Sequence, residues 1–485
     1  MVLGIIGILV SLALLITLAY RGMPVIVAAP IASLVALLFS WESVLPAYTE
    51  IFMPAMGGFV TSYLPVFLTG AIFGALMTAT GYARIIATTV ISLIGEKSAM
   101  LAAVLTTALM TYGGISLFVV VFVMYPLAKE LFRAADIPRR LIPATIALGA
   151  FTFTMTALPG TPQVQNIIPG TFFGTGSFAG ALMGIIGSVI IFGIGMVWLE
   201  YRKRKLWAKG EHFASIESAP AGSAASSGSS GSADEEDGVE GEDSEEKPGS
   251  FPAPANRLIP FLPLLTVFVV NFACTLFIFP AMDWDFLSEE KYGGISIDDR
   301  SALWAVIVGL VVAIVLILLI NARHIGLLFQ QVGDGAKNSM YPIFSTASEV
   351  GYGAVIASVA AFAVVRDSVI DLGANALTTS VVATSITAGL TGSSSGGMTI
   401  ALNAFGEELR DMAVADGISM EAMHRVTAMA AGGLDTLPHS GAIITLLIVC
   451  GLTHRQSYKD IAVITIVGPV AAVAVLLAAV SVGIF

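Results

Sequence analysis

The chain has 485 residues, 56% of them hydrophobic and only 12% charged, about half the ~25% charged share of soluble domains. Several apolar runs approach the ~20 residues that a helix needs to cross a bilayer. A soluble enzyme, a nucleic-acid binder and a secreted scaffold are excluded; an all-α polytopic membrane protein remains. The net charge of −11 is local, because residues 215–250 hold ten of the 34 acidic residues and one base. Without that stretch, 22 bases face 24 acids, and the membrane body is nearly neutral.

In chain order, Val2–Tyr20 and Met23–Phe39 read as the first two spans. The first has no basic start, and the second follows after Arg21–Gly22, so a removable signal peptide is not expected. Ser98–Ala134 is too long for one span and has a Gly-Gly centre, which predicts two half-length helices meeting at Tyr112–Ser116 in a re-entrant hairpin. Leu141–Pro169 is interrupted by Pro159 and Pro162, and Ala179–Trp198 is a further span. Residues 201–256 read as a cytoplasmic, acidic, disordered linker, since Ser, Gly and acids cannot offset their ordering entropy by burial. Leu258–Phe279, Ala302–Ile320 and Tyr341–Val365 open the second half. Ala376–Val414 has the hairpin form with its tip at Thr391–Gly397, Val426–Thr453 is interrupted by Pro438, and Ile461–Val482 is the last span. Cys274 and Cys450 lie inside apolar runs and read as small packing residues.

The halves, 1–200 and 257–485, repeat each other. Gly113 stands as far before Pro159 as Gly392 does before Pro438, and Leu64-Pro65-Val66-Phe67 matches Tyr341-Pro342-Ile343-Phe344. Loop charge sets their orientation. Arg202, Lys203, Arg204 and Lys205 place the central loop inside, and Lys129–Arg140 is basic too. Its repeat partner Glu407–Arg425 is acid-rich, as are Asp283–Asp299 and Trp41–Glu50, and all three are expected outside. The prediction is two inverted repeats, each with five spans plus a re-entrant hairpin and a broken helix, with both termini outside. Such duplicated halves with interrupted segments point to a secondary transporter.

Four breaks therefore converge: the tips Tyr112–Ser116 and Thr391–Gly397, and the unwound segments Leu158–Asn166 and Asp435–Gly441. Candidate binding residues are Tyr112, Gly113, Gly114, Ser116, Thr161, Gln163, Gln165, Asn166, Thr391, Ser393, Ser394, Ser395, Thr436 and Ser440. Half-helix N-termini offer free N–H groups and partial positive charge to a carboxylate, and no Arg or Lys occurs at these points. Ionisable residues inside a membrane are functional candidates by default. Asp435 and His439 flank Pro438, and Glu349 is the other intramembrane carboxylate; these three are the candidate proton-coupling groups. Asp367 and Asp371 are expected at the outer surface, His212, His324 and His454 at solvated surface, and His424 has no evident partner. Phe118, Phe122 and the Met residues near Met398 read as hairpin packing.

With those residues in view, the chain resembles a known family. Leu158-Pro159-Gly160-Thr161-Pro162-Gln163-Val164-Gln165-Asn166 looks like the unwound loop of the ion transporter superfamily. The Gly-Gly-Leu434-Asp435-Thr436-Leu437-Pro438-His439-Ser440-Gly441 and Thr391–Gly397 motifs look like its gluconate permease branch. The resemblance implies a homodimeric carrier with a scaffold and a moving transport domain working as an elevator. It also implies sugar acids or short hydroxy acids, usually with proton symport. The Ser-Asn-Thr tips of sodium-coupled dicarboxylate relatives are absent. The expected function is proton symport of a small hydroxylated monocarboxylate, such as gluconate or 3-hydroxybutyrate, with a sodium-coupled carrier and a passive organic-anion channel as the other readings. No cofactor, metal or nucleic-acid partner is expected. No GxSxG elbow, nucleophile–base pair or metal-ligand cluster supports an enzyme.

Overall fold

The computed structural model describes residues 2–21, 23–95, 98–215, 256–364, 375–438 and 440–483. His439, Asp367, Asp371 and most of the acidic linker therefore lie outside the described residues. Every regular element among those described is helical.

Helices α1 (Val2–Tyr20), α2 (Val25–Ser40) and α3 (Val44–Ala79) are followed by the short α4 (Tyr82–Ile94). Then come a hairpin, α5 (Ala99–Tyr112) and α6 (Leu117–Ala134), and a broken helix of three pieces, α7 (Ile142–Ala150), α8 (Phe153–Thr156) and α9 (Ile168–Phe173). The long α10 (Ala181–Trp207) closes this series, and Arg204 and Lys205 occupy its last turn, where cations complement the exposed carbonyls. The same order then recurs. After α11 (Phe261–Ala281), α12 (Ser301–Ile320) and α13 (Ile325–Ser358) comes the hairpin α14 (Ala376–Thr391) and α15 (Ser394–Ala415). The broken pair α16 (Met420–Leu434) and α17 (Gly441–Cys450) leads to the long α18 (His454–Ser481).

Among the described residues, five helices, α3, α10, α11, α12 and α18, are long and apolar enough to cross a membrane, and α1 and α2 are shorter apolar helices. Many of their large hydrophobics, such as Leu38, Val189 and Leu319, are exposed, as lipid contact requires and water would penalise.

The packing is reciprocal. The second helix of each series lies against the third helix of the other, α2 on α13 and α12 on α3, while α3 and α13 pack along one another. Likewise α9 meets α15 and α17 meets α6, so the C-terminal piece of each broken helix rests on the far arm of the other hairpin. Contacts that exchange in pairs are what a two-fold relation between two copies generates.

One of the two hairpin tips differs from its sequence reading. The first turns at Gly113–Ser116 as expected, with Gly114 at φ 97°. The second is tighter, because α15 resumes at Ser394 and Gly396-Gly397 are helical, not part of the turn. Those glycines serve close approach. A Cβ on Gly396 would collide with the Glu349 carboxyl, and one on Gly397 with the Ala388 backbone of the opposite arm. Ser393 caps the new helix by accepting from the Gly396 amide at 3.2 Å.

Candidate functional site

The breaks arise where the sequence removes helical hydrogen bonds. In the first, Pro159, Gly160 (φ 76°) and Pro162 leave residues 157–163 outside any helix. In the second, the helix stops at Leu434 and restarts at Gly441. Between these breaks and the hairpin tips lies a cavity of about 2290 Å³.

Of the residues expected at the site, Gly114, Ser116, Gln163, Gln165, Thr391, Ser393, Ser394, Ser395, Thr436, Ser440, Asp435 and Glu349 line this cavity. Tyr112, Gly113, Thr161 and Asn166 do not lie on its wall. The Tyr112 hydroxyl donates to the Pro159 carbonyl at 2.8 Å and ties the first tip to the first break. Leu264 of α11 packs against Gly113, where a side chain would clash. Thr161 is fully buried and its hydroxyl has no partner among the described residues. Asn166 donates to the Thr161 and Ser177 carbonyls at 3.0 and 2.8 Å.

Three helix starts face the cavity. Ser116 precedes α6 and Ser440 precedes α17 without a side-chain cap, and the start of α15 carries Ser393, Ser394 and Ser395. The first amides of a helix have no intrahelical acceptor, so each start presents donors and partial positive charge. Some polar side chains on the wall are committed elsewhere. Gln163 donates to the Thr111 carbonyl at 2.8 Å and closes the end of α5. Thr436 donates to Thr465 at 2.7 Å, where α18 has a π-turn. Thr391 bonds back to its own helix at Thr387 O, 2.9 Å away.

The most concentrated chemistry is at the tip of the second hairpin. Gln165 reaches it from the first break and donates to Ser394 Oγ at 3.0 Å. The Glu349 carboxyl from α13 stands where a Gly396 side chain would be, beside Ser393, and Asp435 from the second break lines the same cavity. Gln165, Asp435 and Glu349 are each at most 6% exposed. One oxygen of each, Gln165 Oε1, Asp435 Oδ1 and Glu349 Oε2, has no hydrogen-bond partner among the described residues. Neither acid has a salt-bridge cation among them. Unpaired polar oxygens buried at this depth cost about 1–3 kcal/mol each, so the fold retains an expense here that a ligand or ion would relieve.

Two arginines were missed from sequence because loop charge assigned them to the surface. Arg425 is fully buried behind the first break. It donates to Asn166 Oδ1 at 2.8 Å and to the Ala179 carbonyl at 3.0 and 2.7 Å. Arg139 is 6% exposed and donates to the Cys450 carbonyl at 2.9 Å and to the Tyr125 hydroxyl at 2.6 Å. Each arginine stands at the start of one broken helix and holds the exit of the other, a second reciprocal pair. His424 is buried as well and meets the Thr175 hydroxyl at 2.7 Å, correcting its reading as partnerless. His454, expected at solvated surface, donates to the Pro438 carbonyl at 2.9 Å. Asn271 of α11 was missed too: it donates to the Gly160 carbonyl at 2.9 Å and accepts from Ser177 at 3.2 Å. Its sequence signal is faint, a lone amide in an apolar run.

No protein-family model matches the chain. The structure of the Alcanivorax borkumensis YdaH transporter, which has an unusual topology, matches with a TM-score of 0.50 over 88% of both chains. Sequence identity is 15%, so this likeness concerns the fold alone. An uncharacterized transporter of Bacillus subtilis, YxjC, is 42% identical over 475 residues, covering 97% of each chain. With the all-α architecture and its apolar helices, these matches make the chain a multi-pass membrane transporter, and it belongs to the family of the Bacillus transporter YxjC.

Proposed function

We propose that the protein is a proton-coupled symporter for a small hydroxylated monocarboxylate, a gluconate-like sugar acid or a short hydroxy acid such as 3-hydroxybutyrate. The observation that carries this reading is the convergence of three uncapped or serine-lined helix starts and two buried, cation-free acids on one cavity. Helix starts supply the charge complement to a carboxylate without a buried base. Gln165 and the tip serines supply hydrogen bonds for hydroxyls. Asp435 and Glu349 supply the titratable positions that proton coupling needs.

The resemblance to the gluconate permease family supports the same substrate class. The recurring element order and reciprocal contacts support two copies, about 1–200 and 257–485, in inverted orientation. In this reading α1–α3 and α11–α13 form the scaffold, and the hairpins, broken helices, α10 and α18 form the moving body of an elevator. The cavity extends to Arg84, Glu130, Asp334 and Lys337. Loop charge places that end in the cytoplasm, so the described state is inward-facing, which favours alternating access over a passive pore.

Uptake into proteoliposomes of gluconate, 3-hydroxybutyrate and related hydroxy acids, with and without an inward proton gradient, tests the proposal. Accumulation driven by the gradient and independent of sodium is expected; concentration-driven equilibration alone, without counterflow, would overturn it. The unpartnered oxygens of Gln165 and Asp435 around Ser394 favour one second reading, a sodium ion as the coupling cation. Sodium-dependent uptake at fixed pH would establish it.

A further inference from the structure

Resting on that reading, we propose that Asp435 and Glu349 are internal competitors of the substrate carboxylate for the start of α15, so that the anion binds only to the form in which these acids carry protons. The argument begins with donor counting. The Ser393 hydroxyl accepts from the Gly396 amide, leaving its one proton for an acceptor, and the Glu349 carboxyl is the acid that stands at this same turn. The Ser394 hydroxyl accepts from Gln165, which leaves its proton for an acceptor, and Asp435 lines the same cavity. Both hydroxyl protons at the tip are thus open to the protein's own acids.

An ionised carboxyl is an acceptor only and holds such a donor strongly. It also brings negative charge to the helix start that an incoming carboxylate needs. Protonation changes both terms. A neutral acid repels no anion, and its new O–H adds a donor beside the freed serine. Each acid has one buried oxygen, Glu349 Oε2 and Asp435 Oδ1, with no hydrogen-bond partner among the described residues, where a proton can bind. The proton binds at a carboxyl oxygen and leaves from there when the anion departs, so no other proton carrier is required.

The approach of Glu349 is built into the backbone. The carboxyl occupies the place where a Gly396 side chain would stand, so a glycine in the first turn of α15 admits an acid from a different helix. The competition therefore involves two elements, α13 and the second break, against one tip. The first tip has no such acid. There the corresponding links are the Tyr112 hydroxyl on Pro159 O and Gln163 on Thr111 O, neither titrating near neutrality.

Other ionisable groups near the site are few. Tyr458 and His454 of α18 donate to the Thr436 and Pro438 carbonyls of the second break. Arg84, Glu130, Asp334 and Lys337 stand at the mouth of the cavity, the last two paired at 3.4 Å, and Tyr341 lines its wall. Tyr352 on α13 is turned to Ser11.

Calorimetric binding of 3-hydroxybutyrate and gluconate to the purified full-length carrier, from pH 5.5 to 8.5 in buffers of different ionisation heat, tests the proposal. Wild-type affinity is expected to weaken by about tenfold per pH unit for each proton taken up, with proton uptake visible in the buffer dependence. Asp435→Asn should lose one of these protons and flatten the profile, and Glu349→Gln should act in the same direction. The pair of substitutions should abolish proton uptake on binding. Gel filtration and thermal melting confirm that each variant is folded, and wild-type pH dependence alone already tests the claim. Binding with a flat wild-type profile, or an undiminished slope in the double variant, would overturn the competition while leaving a carboxylate carrier intact. No binding of either acid at pH 5.5 would overturn both the competition and the substrate class.

Discussion

Arg425 offers the sharpest quantitative test of how the first break is held. Its guanidinium makes bonds of 3.0 and 2.7 Å to Ala179 O, 2.8 Å to Asn166 Oδ1 and 3.3 Å to Ser177 O. Arg425→Met removes the donors from Asn166 Oδ1 and Ala179 O, at about 1–3 kcal/mol for each orphaned acceptor. It also relieves the desolvation of an ion with no carboxylate partner, which offsets part of the loss. A net destabilisation of about 2–5 kcal/mol remains. With unfolding entropy of about 2.1 cal/mol/K per residue, a chain of this length shifts Tm by about 1 °C per kcal/mol. The melting point should therefore fall by about 2–5 °C, within reach of intrinsic-fluorescence melting in detergent. Arg425→Lys is the decisive control. It keeps the charge but replaces a planar fork by a more strongly hydrated point charge, so it should destabilise at least as much as Met. A Lys variant melting like wild type while Met does not would show that charge alone matters and refute the geometric account.

Three other substitutions address separate joints. Gly396→Ala places a Cβ on the Glu349 carboxyl and should reduce uptake at least tenfold, measured in proteoliposomes; retained uptake would mean the acid need not touch the tip. Asn271→Ala removes a donor from Gly160 O and an acceptor from Ser177 and should cost about 1–3 kcal/mol, read as a lower melting point. Asp460→Ala leaves Arg202 and the Trp198 N–H without their shared carboxylate. Because Asp460 is 1% exposed, a loss of about 3 kcal/mol is expected, and a melting point equal to wild type would contradict it.

The fold was legible where the backbone chemistry was local. Gly113-Gly114 and Pro159, Pro162 and Pro438 remove helical hydrogen bonds or helix propensity whatever surrounds them, and the first tip and both breaks fall there. Gly396-Gly397 misled for the opposite reason. Their role is tertiary, to admit Glu349 and Ala388, and the helix tolerates their entropy cost because Ser393 caps it. Arg425 and His424 were unreadable because a loop-charge argument counts position along the chain. The helix α16 starts at Met420 and carries both inward, against the exit of the other broken helix. Glu349 and Asp435 were legible as intramembrane acids, but not the seat of Glu349 against Gly396, which depends on α13 crossing α15.

The reciprocal and the non-reciprocal features have different physical consequences. Packing and capping come in exchanged pairs: α2 on α13 with α12 on α3, and Arg139 on Cys450 O with Arg425 on Ala179 O. The acids break the pairing. By sequence register Asp435 matches Thr156, whose hydroxyl donates to Thr152 O in its own helix at 3.2 Å. The first tip of the cavity is therefore tied by groups with fixed protonation, and the second has the Glu349 carboxyl against Gly396 and Asp435 on the same wall. A carrier needs its substrate site to persist through the cycle and its coupling group to change state. Under the proposed coupling, a proton on these acids would alter the hold on the second tip while the first keeps its shape.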